Sequence, residues 1–212
     1  MNNYCLLPTS YWPNIQYFSK LMLFKFIVIE QFETYPKQSY RNRCELYGAN
    51  SKQSIQIPVI KGSFSNILLK DIKISYETTW QNNHLKTIES AYRSSPFYEF
   101  YIDDIIPFYQ KKYNYLLDYN LAILDICKEW LSIEKEISLT NDYNSFFNGS
   151  DYRNTIHPKA NKQANDNQFK PIEYIQGFEQ RHGFIPNLSI LDLIFNAGPE
   201  ARSIILKSLK NE

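Results

Sequence analysis

The run from Tyr4 to Glu30, "YCLLP" (4–8), "PNIQYFSKLM" (13–22) and "FIVIE" (26–30), decides the fold. The first piece is short and apolar and ends at Pro8, which reads as a strand. Pro13 suits the first turn of a helix, where its missing N–H does no harm. Ile15, Phe18 and Met22 then follow at helical spacing. "FIVIE" is β-rich and nearly continuous, as expected of a strand buried on both faces. Strand, helix and strand in this order predict an α/β fold with a Rossmann-like β-α-β start, a mixed sheet flanked by helices, in a single domain.

Downstream of Glu30 the pattern changes to period two. In an extended chain, Lys37, Ser39, Arg41 and Arg43 share one face, with Tyr40, Cys44 and Leu46 on the other. "GANSK" (48–52) supplies turn chemistry, and Ile55, Ile57 and Val59 alternate with polar residues, so a hairpin is predicted. "DIKIS" (71–75) reads as a further strand. Trp80, His84, Ile88 and Tyr92 recur every four residues and form one ridge of a helix. "SSP" (94–96) breaks it. A second aromatic helical stretch starts at Phe97, and Pro107 is expected to divide it or to start a new helix. Leu117, Leu121, Leu124 and Leu131 mark a longer helix, and "EISLT" (136–140) a return to strand. Asn, Asp, Ser and Lys dominate 141–170, read as an irregular excursion or lid. The layout is thus an α/β core over 1–140, the excursion over 141–170, and a C-terminal helical closure over 171–212 packed on the same domain. Asn187 or Ser189 is placed to cap a helix there.

The chain has 212 residues, 43% of them hydrophobic, enough for a well-buried domain. Its 17 Tyr, 14 Phe and 3 Trp place many rings at boundaries or along a groove, because a buried Tyr needs a polar partner. A net charge of +1 gives no global field for nucleic acid or an anionic membrane, so any anion site is local. Three widely spaced cysteines and no CxxC argue against a disulfide framework and for a reducing compartment. The histidines lack HxxxH spacing, so no metal site is expected. No membrane span or basic leader is read, which makes the cytosol the simplest location.

Two chemical candidates stand out. On a strand, Arg41 and Arg43 would project in one direction about 6.6–6.8 Å apart. They could grip different oxygens of one diphosphate, with Lys37 as a third cation. The alternative is a solvated edge strand, or pairing with the nearby acids Glu30, Glu33 and Glu45. His84, flanked on its ridge by Trp80 and Ile88, has the setting of a general base or of a hydrogen-bonded structural histidine. Alternation puts Cys44 on the apolar face, as a buried thiol. Asp192 would face a site or cap a helix.

Five stretches in order, "LLPTSYWPNIQYFSKL", "YPKQSYRNRCEL", "IPV", the 80–98 pattern W---H---I---Y---PFY and "GFIPNLSILDLIFNAGPE", resemble the WbqC-like family over nearly the whole chain. Many members carry His-Gln before the first proline, whereas here Leu6 and Leu7 precede Pro8. Members are often encoded among genes for O-antigen and other surface polysaccharides. The resemblance implies transfer of glycine or another acyl group to a sugar precursor. It implies a small-molecule partner, a sugar nucleotide or an activated donor such as acyl-CoA or acyl-adenylate, with no resident cofactor. Lys37, Arg41 and Arg43 would bind the phosphates, Trp80 and Tyr92 would wall the pocket, and His84 would be the catalytic base. The competing reading is a non-catalytic binding or scaffold protein of the same pathway. The oligomeric state is left open by the sequence.

Overall fold

A computed structural model describes residues 3–60, 67–144, 147–159 and 165–210. Its opening unit follows the sequence. Strands β1 (Tyr4–Pro8) and β2 (Phe26–Glu30) pair in parallel, from Tyr4 opposite Phe26 to Pro8 opposite Glu30. Helix α1 (Ile15–Leu23) crosses between them. Its cap is Asn14, whose side chain accepts from the Tyr17 N–H, leaving Pro13 one residue ahead. At the other end, Lys135 Nζ donates to the carbonyls of Leu21, Met22 and Phe24 at 2.7, 3.0 and 2.6 Å. A cation there satisfies terminal carbonyls and opposes the negative pole of the helix.

The hairpin is also present. Strands β3 (Arg43–Gly48) and β4 (Ser51–Gln56) pair antiparallel and form a second, two-stranded sheet. Strand β5 (Ile137–Leu139) joins β2 and strand β6 (Ser150–Asp151) joins β1, both in parallel, giving the order β5-β2-β1-β6. Helix α2 spans Trp80–Tyr92 and buries Trp80, His84, Ile88 and Tyr92, as the four-residue ridge requires. Helices α3 (Tyr98–Gln110) and α4 (Leu116–Trp130) follow. Beyond them come α5 (Glu179–His182), α6 (Ile190–Ala197) with Ser189 as its cap, and α7 (Ala201–Lys207). Gly198 ends α6 at φ +50°, and a Cβ there would meet the Phe97 ring at 2.5 Å. One apolar cluster joins β1, β2, the hairpin and the helices in a single domain.

Three local expectations are overturned. Residues 37–42 form turns, and β3 begins only at Arg43, so the alternation assumed for Arg41 and Arg43 does not apply. Gln38 at φ 57° breaks the extended chain. "DIKIS" forms a 3-10 turn (Leu69–Asp71) followed by isolated bridges of Lys73 to Tyr115 and Ile74 to Val59. Pro107 lies inside α3 and does not divide it. Its neighbours Ile105 and Tyr109 are buried, and tertiary packing holds the helix through the lost hydrogen bond.

Within 141–170, residues 145–146 and 160–164 fall outside the described residues. The rest is irregular, apart from β6, but is tied down. Tyr152, Arg153 and Ile156 are buried. Asp166 forms an ion pair at 2.7 Å with Lys20, which is fully buried in α1.

Candidate anion cleft and the network behind it

The chain leaving the C-terminal end of β2 crosses the edge of the parallel sheet, where open α/β sheets usually receive ligands. That edge is occupied by side chains. Glu30, fully buried, accepts from Arg153 Nη1 at 2.9 Å and from Thr140 Oγ1 at 2.9 Å. Arg153 also grips Asp151. Beside it, Arg41 holds Glu33 bidentately at 2.9 and 2.8 Å, and its Nη2 reaches the Arg153 carbonyl at 2.8 Å. Arg41 is 2% exposed. It is a sealed structural ion pair and offers nothing to a ligand. Of the three acids near the basic run, Glu33 thus pairs with Arg41, Glu30 with Arg153, and Glu45 with Lys52.

Just outside this network lies an open cleft of about 520 Å³, lined by Tyr35, Lys37, Gln38, Arg43, Gln56, Pro58 and Val59. Lys37 and Arg43 come together here. Arg43 Nη2 donates to Gln56 Oε1 at 2.9 Å, while its Nε is buried with no hydrogen-bond partner. The guanidinium is thus oriented on the wall of the cavity, a fork of the kind that suits a carboxylate or phosphate. Burial pushes the Tyr35 hydroxyl up to about 12, against the opposing pull of Arg43 and Arg41, so Tyr35 stays protonated and can donate. At the rim, Lys159 Nζ bonds Gln38 Oε1 and adds a third cation.

His84 does not line this cleft. It is 6% exposed, and burial pushes it down to about 4, so it is neutral at physiological pH. Its Nδ1 lies 2.9 Å from the Tyr11 hydroxyl, which lies 2.7 Å from the Tyr109 hydroxyl. Trp12 Nε1 donates to that same Tyr109 oxygen at 2.9 Å. His84 also interacts with the Gln56 backbone as donor. One proton assignment satisfies every member. The indole N–H donates to Tyr109, Tyr109 to Tyr11, Tyr11 to Nδ1, and the other ring nitrogen to the Gln56 carbonyl. His84 therefore holds the end of β4, and Gln56 there holds Arg43. Trp12 maintains this arrangement at φ 38°, a left-handed conformation costing about 1–3 kcal/mol in a bulky residue.

Trp80 and Tyr92 also lie elsewhere. Trp80 packs on His84 at 5.1 Å between ring centroids and against Tyr109 and Tyr119, 4% exposed. Tyr92 packs on Phe195, and its hydroxyl accepts from the Tyr47 N–H at 3.0 Å. Asp192, fully buried, accepts from the Tyr174 hydroxyl at 2.6 Å and Gln176 Nε2 at 2.8 Å. Burial pushes its carboxyl up to about 6. Cys44 is buried, and burial holds its thiol well above the usual range, so it is no nucleophile. Among the described residues no group of three or more His, Cys, Asp or Glu is placed to hold a metal, and no helix is long and apolar enough to cross a membrane.

Sequence reading missed Tyr35, Gln38, Gln56, Pro58 and Val59. A signal for Gln56 existed. With Gly48 opposite Ser51 across the turn, the hairpin register places Arg43 opposite Gln56.

The fold is thus a parallel α/β core with an appended hairpin and an adjoining cationic cleft. The pattern of the WbqC-like protein family matches residues 9–204, and the chain belongs to that family. It is similar to "Uncharacterized protein Rv1507c" of Mycobacterium tuberculosis (strain ATCC 25618 / H37Rv), at 23% identity over 95% of this chain and 96% of the relative. No solved structure matches the chain significantly.

Proposed function

We propose that the protein acts in surface-polysaccharide assembly of the O-antigen type. In this reading it holds the phosphate-bearing half of an activated sugar or acyl donor in the cleft of Tyr35, Lys37, Arg43 and Gln56. There it transfers an acyl or aminoacyl group to a sugar precursor. The observation that carries the reading is that Lys37 and Arg43 line one open cleft, with the Arg43 guanidinium oriented by Gln56. Arg forks suit phosphate, and a second cation on the same wall adds charge without a metal. His84 serves the cleft as a positioning residue through the Gln56 backbone.

A second reading, a non-catalytic binding protein of the same pathway, is favoured by one specific observation. Among the described residues, those lining the cleft include no carboxylate, histidine or thiol to take the proton released by the attacking sugar amine or hydroxyl.

Titration calorimetry with pyrophosphate, a uridine diphosphate sugar and coenzyme A tests the site. Arg43→Ala should weaken binding by about 1.5–3 kcal/mol, the worth of a charged hydrogen bond. Unchanged affinity in that variant removes the cleft from the proposal. Mass spectrometry of an amino-sugar nucleotide mixed with acyl-coenzyme A separates the two readings, since binding without acyl transfer leaves the non-catalytic one.

A further inference from the structure

On the other flank of residues 58–60 lies a second, smaller groove of about 270 Å³, lined by Ile60, Lys73, Ile74, Tyr76, Tyr113, Asn114 and Tyr115. We infer that it is a second ligand site, taking a small ring compound that carries a phosphate, such as a nucleotide or a sugar phosphate. The argument begins with the lysines. Lys73, Lys111 and Lys112 are exposed, and no ion pair joins them to a carboxylate among the described residues. Each ammonium sits over a tyrosine. Lys73 is 5.9 Å from the Tyr115 ring centroid, Lys111 is 5.0 Å from that of Tyr113, and Lys112 is 5.2 Å from that of Tyr76.

An exposed cation–π contact contributes about 0.5–1 kcal/mol, whereas a hydrogen bond to a charged group contributes about 1.5–3 kcal/mol. A phosphate can therefore draw these ammonium groups off the rings. A ring vacated in this way presents a π-face to the base or sugar attached to that phosphate.

The groove is built in advance. Tyr76 Oη accepts from the Tyr113 N–H at 2.9 Å and donates to the Tyr113 carbonyl at 3.0 Å, pinning that backbone. Tyr113 also packs edge-on against Tyr119 at 5.0 Å. Tyr115 is paired to Lys73 through the backbone, and the Ile74 N–H bonds the Asn114 carbonyl at 3.1 Å. Little ordering is left to pay at binding.

The test titrates the whole chain with uridine monophosphate, glucose 1-phosphate and pyrophosphate. Lys73→Glu, at an exposed position, and Tyr115→Ala should each weaken the tighter of the first two ligands by about tenfold or more. Tighter binding of uridine monophosphate assigns a nucleotide, and tighter binding of glucose 1-phosphate assigns a sugar phosphate. Pyrophosphate, which reports the Arg43 cleft, should bind Lys73→Glu as it binds the unaltered chain. The inference is overturned if neither ring ligand binds at millimolar concentration, or if both variants bind as the unaltered chain does. It is also overturned if Lys73→Glu weakens pyrophosphate equally, which marks a long-range field and no site. A failed groove with intact, Arg43-dependent pyrophosphate binding leaves the proposed function standing.

Discussion

At the scale of single residues, two arginines two positions apart have opposite fates. Arg41 turns inward to Glu33 and Arg43 outward to the cleft, because the chain between them is still in a turn. The distinction can be measured. Arg41→Ala leaves Glu33 buried without its counter-ion and should cost about 3–5 kcal/mol in urea denaturation. Arg41→Met combined with Glu33→Gln should recover much of that loss, since it removes both charges. Arg43→Ala should change stability by less than about 1 kcal/mol, as expected for a half-exposed side chain with one neutral partner. Equal losses from Arg41→Ala and Arg43→Ala would contradict the inward and outward placement.

At the scale of elements, α3 carries a proline that the pattern reads as a boundary. Pro107 is exposed on the helix surface, and the buried neighbours on either side continue the helix through it. Pro107→Ala restores an N–H to the ladder and removes a clash with the preceding turn. It should raise stability by roughly 1–3 kcal/mol, visible as a higher urea midpoint at unchanged m-value. A fall in stability would mean that the proline sets a bend the core requires. The ridge of α2 was legible because Trp80, His84, Ile88 and Tyr92 repeat at four-residue spacing. What each ridge residue touches was not, because Tyr11, Tyr109, Phe195 and the hairpin come from distant parts of the chain.

At the scale of the whole molecule, two buried titratable groups oppose each other. An exposed imidazole titrates near 6.5, whereas His84, facing Tyr11, Tyr109 and Trp80, is pushed down to about 4. Its contribution is full above pH 6.5 and is lost as pH falls toward 4. Asp192, facing Tyr174, Tyr92 and Gln176, is pushed up to about 6 from 3.8. Its contribution is full below pH 3.8 and is lost as pH rises through about 6. Between pH 7 and 4.5 each term amounts to about 2 kcal/mol, with opposite signs. Asp192→Asn should therefore lose more stability on acidification than the unaltered chain. His84→Gln should lose less. Urea denaturation at the two pH values checks both, and parallel pH slopes in all three proteins would exclude the opposition.

The strand–helix–strand opening, the hairpin, the α2 ridge and the family were determined by local sequence, because hydrophobic period and turn residues act within a few positions. Tertiary structure alone decided which charges are sealed and which face a cavity. The basic run 37–43 reads the same whether its cations meet solvent, ligand or acid. Glu33 and the Arg153 carbonyl, the latter 112 residues away, claim Arg41. Burial among Tyr11, Trp80 and Tyr109 likewise makes His84 a neutral strut. Both outcomes depend on the local dielectric and on long-range partners, which become defined only when the sheet, the hairpin and the helices have packed.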